Sequence, residues 1–243
     1  MLSANITAVS AQVSKKPQTA IILEPKRTAA GIDYDVYIEN ANNLSTLMFA
    51  MDFSSKEKGT MSLTSNDCFD ISHSEWSNDN HVSLKAYMGR TGQKTGFSSD
   101  SKIKVAHISI LIDISAVGNV TATVSSAICA GVIQTDSNAL KGNVTVPEQP
   151  ISYAIRECSV LGYDKNKVNI LSSNNRNADV IYALYDSQGG LVNAYKENIG
   201  LKQGENEISP TGIDFGQAET VSVMIWDGID SMRPLADKTT INN

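Results

Sequence analysis

The chain is poor in the residues that would commit it to several large protein classes. Its three cysteines, Cys68, Cys129 and Cys158, stand far apart and are odd in number. They fit neither a disulfide framework nor a paired-cysteine metal knuckle, which leaves free thiols as the simplest reading. Charged residues are only 19%, and 20 basic against 26 acidic side chains give a formal net charge of -6. No basic field draws nucleic acid or anionic lipid, so both are excluded as partners. Long apolar runs are also missing. The best, Ile108 to Ile114, is short, is broken by Asp113 and follows closely on Lys102 and Lys104, so no membrane span is expected. Met1 to Lys16 lacks the sustained apolar core of a secretion signal; a signal removed, absent or lying upstream fits equally.

What is present is strand-like. Ser, Thr, Asn and Gly are plentiful and helix-favouring charged runs are absent, a composition that leans towards secreted all-β proteins. Pro17 precedes a short apolar strand, Thr19 to Glu24, that Pro25 is expected to end. From Gly31, Ile32, Tyr34, Val36 and Ile38 face one side and Asp33, Asp35, Tyr37 and Glu39 the other, the alternation of a half-wet antiparallel strand. After a turn at Asn40 to Asn43, Leu47, Phe49, Met51 and Phe53 oppose Met48, Ala50 and Asp52. Gly59 to Thr64 and Val82 to Met88 are weaker strands, Ser65 to Asn80 is a polar stretch holding Trp76, and Gly89 to Ser101 is a loop. In Ile103 to Ile114 the buried set is expected to be Lys104, Ala106, Ile108, Ile110, Ile112 and Ile114. Gly118 to Ala130 and Asn143 to Val146 complete a first β-sandwich over 17–146, with 1–16 an edge strand or linker.

Pro147-Glu148-Gln149-Pro150 supplies a stiff joint, because two prolines within four residues cannot donate to a sheet ladder. A second, smaller β unit is expected over 151–243. Its strands include Ile151 to Leu161, Lys167 to Ser172, and a hairpin of Val180 to Tyr185 with Leu191 to Tyr195 around Gly189-Gly190. Thr220 to Trp226, alternating and ended by Asp227-Gly228, reads as the strand that closes the unit, with Leu235 folded back as a plug. The fold class expected is all-β, two consecutive β-sandwiches.

Gly31 to Asn40, Asn43 to Phe53 and Ile103 to Ile112 together resemble the cohesin and carbohydrate-binding superfamily of secreted bacterial modules. Trp226-Asp227 with Ser231-Met-Arg-Pro-Leu235 looks like the end of a C-terminal immunoglobulin-like β-sandwich found in large secreted and cell-surface proteins of anaerobic Gram-positive bacteria. These resemblances imply a noncatalytic module pair, secreted or at the cell surface, that binds a protein partner or neighbouring modules or serves in structural assembly. The alternative they imply is a polysaccharide-binding accessory region of a secreted glycoside hydrolase.

The chemistry-bearing motifs are few. Gly89 to Gly96 departs from a phosphate loop because Gln93 separates glycine from Lys94 and no helix follows. Asp67, Cys68, Asp70, His73, Glu75, Asp79 and His81 crowd one stretch without metal-ligand spacing, so no metal or other cofactor is expected. No nucleophile elbow occurs and no catalytic residue is expected. Trp76, Tyr87 and Phe97 are the candidate binding residues: as a set they suit a ring platform for sugar faces, or else they pack in the core.

Overall fold

Period-two alternation becomes sheet almost everywhere in the computed structural model, which describes residues 18–65, 67–79, 81–92, 96–131, 141–164 and 167–242. The expected N-terminal strand or linker, 1–16, lies outside the described residues. The first strands are β1 (Ala20–Arg27), β2 (Gly31–Glu39), β3 (Ala41–Phe53), β4 (Thr60–Leu63), β5 (Ile71–Asn78), β6 (Val82–Gly89), β7 (Phe97–Ser99), β8 (Ile103–Leu111), β9 (Gly118–Gly131), β10 (Lys141–Asn143) and β11 (Ile151–Ile155). Sheet A runs β1-β2-β8-β4. Sheet B runs β10-β9-β3-β6-β5, with β7 added to β3 and β11 to β9. The two sheets bury one cluster between them, in which Tyr34, Val36 and Ile108 from sheet A meet Leu47, Met51, Phe53 and Leu84 from sheet B.

The remaining strands are β12 (Cys158–Asp164), β13 (Lys167–Ser172), β14 (Arg176–Tyr185), β15 (Leu191–Leu201), β16 (Gly204–Ile208), β17 (Thr220–Trp226) and β18 (Thr239–Asn242). Sheet C is β12-β13-β16 and sheet D is β15-β14-β17-β18. They enclose a second cluster around Phe215, whose ring meets Tyr163 and Tyr182 at centroid distances of 5.4 and 5.9 Å. The protein is therefore all-β, four sheets packed as two sandwiches. The β14–β15 hairpin forms where the glycine pair stands. Gly189 adopts φ 77 and Asp186 Oδ1 accepts from the amides of Gln188 and Gly190.

Several expectations change. β1 runs through Pro25, which faces Tyr34; β1 is an outer strand, and there the missing N–H costs no rung. The polar stretch around Trp76 is a strand, β5, and a three-residue strand, β7, lies in the expected loop. A bulge between Val36 and Tyr37 on β2 leaves Val105 as the extra residue of β8. Lys104 is thereby turned to the outer face, where Nζ lies 2.6 Å from Asp35, and Val105 is buried in its place. Ile151 to Ile155 belongs to the first sandwich, not the second: it pairs with Gly118 to Ala122 of β9 and Ile155 packs in the first cluster. The prolines break a strand without dividing the units. β17 is also not the closing strand, since β18 pairs along its far side.

Tyr34 gives a first prediction. Its hydroxyl is buried with no hydrogen-bond partner, and burial pushes its phenol up to about 12. An unmet buried donor is costly, so Tyr34→Phe is expected to stabilise the first sandwich by about 1 kcal/mol. Chemical denaturation followed by Trp76 fluorescence checks this, and a lower midpoint would contradict the unmet hydroxyl.

Candidate interaction face

The outer face of sheet B is assembled from strands far apart in sequence. β3 buries Leu47, Phe49, Met51 and Phe53, so Met48, Ala50 and Asp52 point outward. The registers carry this across the sheet in rows. Met48 lies between Ile128 of β9 and Tyr87 of β6, with His73 of β5 beyond; Ala50 lies between Ser126 and Lys85, with Glu75 beyond. Asp52 faces Ser83, with Ser77 beyond. Above Tyr87 is Gly89, facing Ile71. A Cβ on Gly89 would come within 2.9 Å of the Tyr87 hydroxyl and 3.3 Å of the Ile71 side chain. The missing side chain thus lets Tyr87 and Ile71 lean together.

The outcome is a strip of apolar groups beside a polar half. Met48, Ile128 and Ile71 are 45%, 44% and 42% exposed. Below them Lys85 and Glu75 face each other across β6 and β5, and His81 Nε2 sits 2.9 Å from Asp52 Oδ1. A depression of about 290 Å³ lies among Ala50, Asp52, Glu75, Ser83, Lys85 and Ser125, at the small end for a cavity that encloses a ligand.

The candidate rings are not brought together. Trp76 faces Leu84 on the inner side of sheet B and stacks on Phe53, centroids 5.9 Å apart. Tyr87 is on the opposite, outer side. Phe97 faces Leu44 at the rim of the core, with the Arg90 guanidinium 6.0 Å from its centroid. Only Tyr87 belongs to the outer strip; Met48, Ile71 and Ile128 were not among the sequence candidates. Of the acidic stretch, Asp70 is engaged by the amide and hydroxyl of Thr91, and burial pushes the Cys68 thiol up to about 12. Among the described residues no three His, Cys, Asp or Glu side chains converge as a metal site.

Sheet A brings together a group that sequence reasoning missed, because its members alternate on one strand and face another. Ser109 Oγ is 3.2 Å from His107 Nε2, and His107 Nδ1 is 2.8 Å from Asp35 Oδ1. The order matches a serine nucleophile, base and orienting acid. Asp33 changes its meaning: Ser109 Oγ donates to Asp33 Oδ1 at 2.7 Å, and Asp33 Oδ2 also lies 3.2 Å from His107 Nε2. The surrounding backbone is paired in β2–β8 and β4–β8 ladders, which leaves no converging N–H groups for an oxyanion. The group is a charge-paired patch of a flat face.

The second sandwich has its own built cluster. Leu235 returns to the core at 2% exposure, with its amide donating to Ile225 and its carbonyl accepting from Cys158. Arg176 donates to both Glu157 and Asp227, and Arg233 bridges the same two carboxylates. Asp179, 4% exposed, holds the loop through the Ile229 amide at 2.8 Å. Trp226 is half-buried over the outer side of sheet D, directly opposite Asp179.

No protein-family model matches the chain, and no curated protein matches it. Among solved structures it is similar to the seventh ScaB type I cohesin from Pseudobacteroides cellulosolvens, at 7% identity and a TM-score of 0.40, over 56% of this chain and 91% of that one. It is similar to a type II cohesin domain from the cellulosome of Acetivibrio cellulolyticus, at 11% identity and a TM-score of 0.35, over 56% and 95%. A type II cohesin dyad from the adaptor ScaA scaffoldin of the same organism matches at 13% identity and a TM-score of 0.35, over 69% and 61%. No helix among the described residues is long and apolar enough to cross a membrane.

Proposed function

We propose that the chain is a noncatalytic pair of modules, secreted or at the cell surface, whose first sandwich binds a protein partner through the outer face of sheet B. The observation that carries this reading is the strip of Met48, Ile128 and Ile71 at 42 to 45% exposure, joined by Tyr87 and flanked by the Lys85 and Glu75 row. Apolar groups grouped on a flat face with a polar rim suit a protein surface better than a small ligand. Trp76 and Tyr87 lie on opposite sides of sheet B and Phe97 at the rim of the core, which favours this reading over a ring platform for polysaccharide. The second module, divided from the first at Arg156, is immunoglobulin-like in its three-plus-four strand arrangement and serves as a structural companion.

Met48→Asp is the test. Its side chain is exposed, so the fold is expected to hold, with Trp76 fluorescence and melting unchanged. A partner held by the immobilised wild-type chain is expected to bind the variant at least tenfold more weakly, as a central contact does when charged. Equal capture by both chains, or no specific capture by the wild type, would overturn the reading.

A further inference from the structure

β15 is an outer strand of sheet D, paired with β14 and with no strand on its other side among the described residues. Its register with β14 is regular from Asn193 to Leu201, with no proline, after an irregularity at the hairpin end. The free side can be identified. The Ala194 amide donates to the Oδ1 of Asn193 at 2.8 Å, so it points away from β14. Alternation turns the amides and carbonyls of Lys196, Asn198 and Gly200 the same way. A row of backbone groups is thus presented outward, the template on which an extended chain pairs.

The charges beside this row select what pairs there. On the outer side, the Lys196 side chain remains 45% exposed, with Nζ 3.3 Å from Asp179 Oδ2. That carboxylate is already held by Asn198 and the Ile229 amide. Lys202 follows β15 directly, is exposed, and has no carboxylate within ion-pair distance among the described residues. It borders a depression of about 520 Å³ that Asn177 and Gly200 also line. The acid of the edge, Glu197, alternates to the other side of the sheet, where its Oε1 accepts from the amide and hydroxyl of Thr211 at 2.7 and 2.8 Å. On the outer side the exposed charges that flank the row are Lys196 and Lys202.

We propose that the free edge of β15 docks an extended acidic segment of a partner chain, which adds an antiparallel strand to sheet D with acidic side chains opposite Lys196 and Lys202. A second copy of this chain supplies no acid to these lysines. A two-fold axis normal to the sheet opposes only residues of the same side, so Lys196 and Lys202 would meet Ala194, Asn198, Gly200 or one another, and the register centred on Lys196 sets Lys196 against Lys196. Like charges directly opposite are unfavourable.

The probe is a blocked peptide, Glu-Val-Ser-Val-Thr-Val-Glu-Val, whose two glutamates reach Lys202 and Lys196 in the antiparallel register. It is expected to bind saturably to the full chain and to slow hydrogen exchange at the Lys196, Asn198 and Gly200 amides at least tenfold. The amides of Tyr195, Glu197 and Ile199, already in the β14 ladder, are expected not to change. Lys202→Glu, an exposed change, is expected to weaken binding at least tenfold. Gly200→Pro, which removes an outward donor and no rung to β14, is expected to do the same. The same peptide with lysine for glutamate is expected not to bind. Met48→Asp should leave peptide binding intact, which separates this edge from the face of sheet B. No saturable binding, binding indifferent to Lys202→Glu, or a dimer of the chain alone that Gly200→Pro abolishes would each overturn the proposal.

Discussion

Leu235→Ala is expected to destabilise the second sandwich by about 2 to 4 kcal/mol, the range for a leucine truncated in a core that closes only partly around the gap. The side chain is 2% exposed and packs in the cluster of Val168, Tyr182, Phe215 and Val223. Relaxation is restricted on both sides. The Leu235 amide is tied to Ile225 in β17 and its carbonyl to Cys158 at the start of β12, both at 2.8 Å, so the backbone cannot slide inward to fill the space. Tryptophan placement allows each sandwich to be followed separately. Trp76 packs against the first cluster and Trp226 lies at the end of β17 in sheet D. In a Trp76→Phe background, denaturation followed by Trp226 is expected to shift to lower denaturant with Leu235→Ala. In a Trp226→Phe background the Trp76 transition is expected to stay in place with Leu235→Ala. A common shift of both signals would show one cooperative unit and contradict a division at Arg156.

That division shows where sequence reading stops. Ile155 is 5% exposed in the first cluster and Cys158 is 1% exposed in the second. Only Arg156 and Glu157 lie between, and both are ion-paired within the second sandwich, to Asp237 and to Arg176 with Arg233. A composition-based boundary looks for a flexible or proline-rich linker, and this joint has none. The alternation in β2 and β3 was legible because each strand has one dry and one wet face. β5 was not, because an outer strand with both faces largely wet carries only Ile71 and Trp76 as apolar signals. Lys104 was assigned to the wrong face because one bulge residue shifts all that precedes it, and a bulge leaves no mark in composition. The same holds for the candidate face. Met48 could be read as outward-facing from β3 alone, but its neighbours Ile128, Tyr87 and Ile71 are set by registers between strands up to eighty residues apart.

Arg176→Met is expected to cost the second sandwich about 1 to 3 kcal/mol at neutral pH, the value of charge-assisted hydrogen bonds lost from a largely desolvated site. The Arg176 side chain is 12% exposed and donates to Glu157 and Asp227 together. Methionine fills much of the volume, and it removes a buried Nε that has no partner, which offsets part of the loss. The pH dependence distinguishes this network from simple packing. Hydrogen bonding from Arg176 first, then from Arg233, holds the Glu157 carboxyl below its ordinary range; for Asp227 the main cause is Arg233, with Arg176 second. Carboxylates held low when folded bind fewer protons than in the unfolded chain. Their stabilisation is therefore complete above the ordinary carboxylate range near pH 4 and is lost as pH falls through the lower folded values. The melting temperature of the second sandwich is expected to fall between pH 5 and pH 3 in the parent chain and to fall less in Arg176→Met, because the variant has already lost part of what acid removes. Parallel pH profiles for the two proteins, measured through Trp226, would mean that Arg176 contributes by packing and not by holding the two carboxylates.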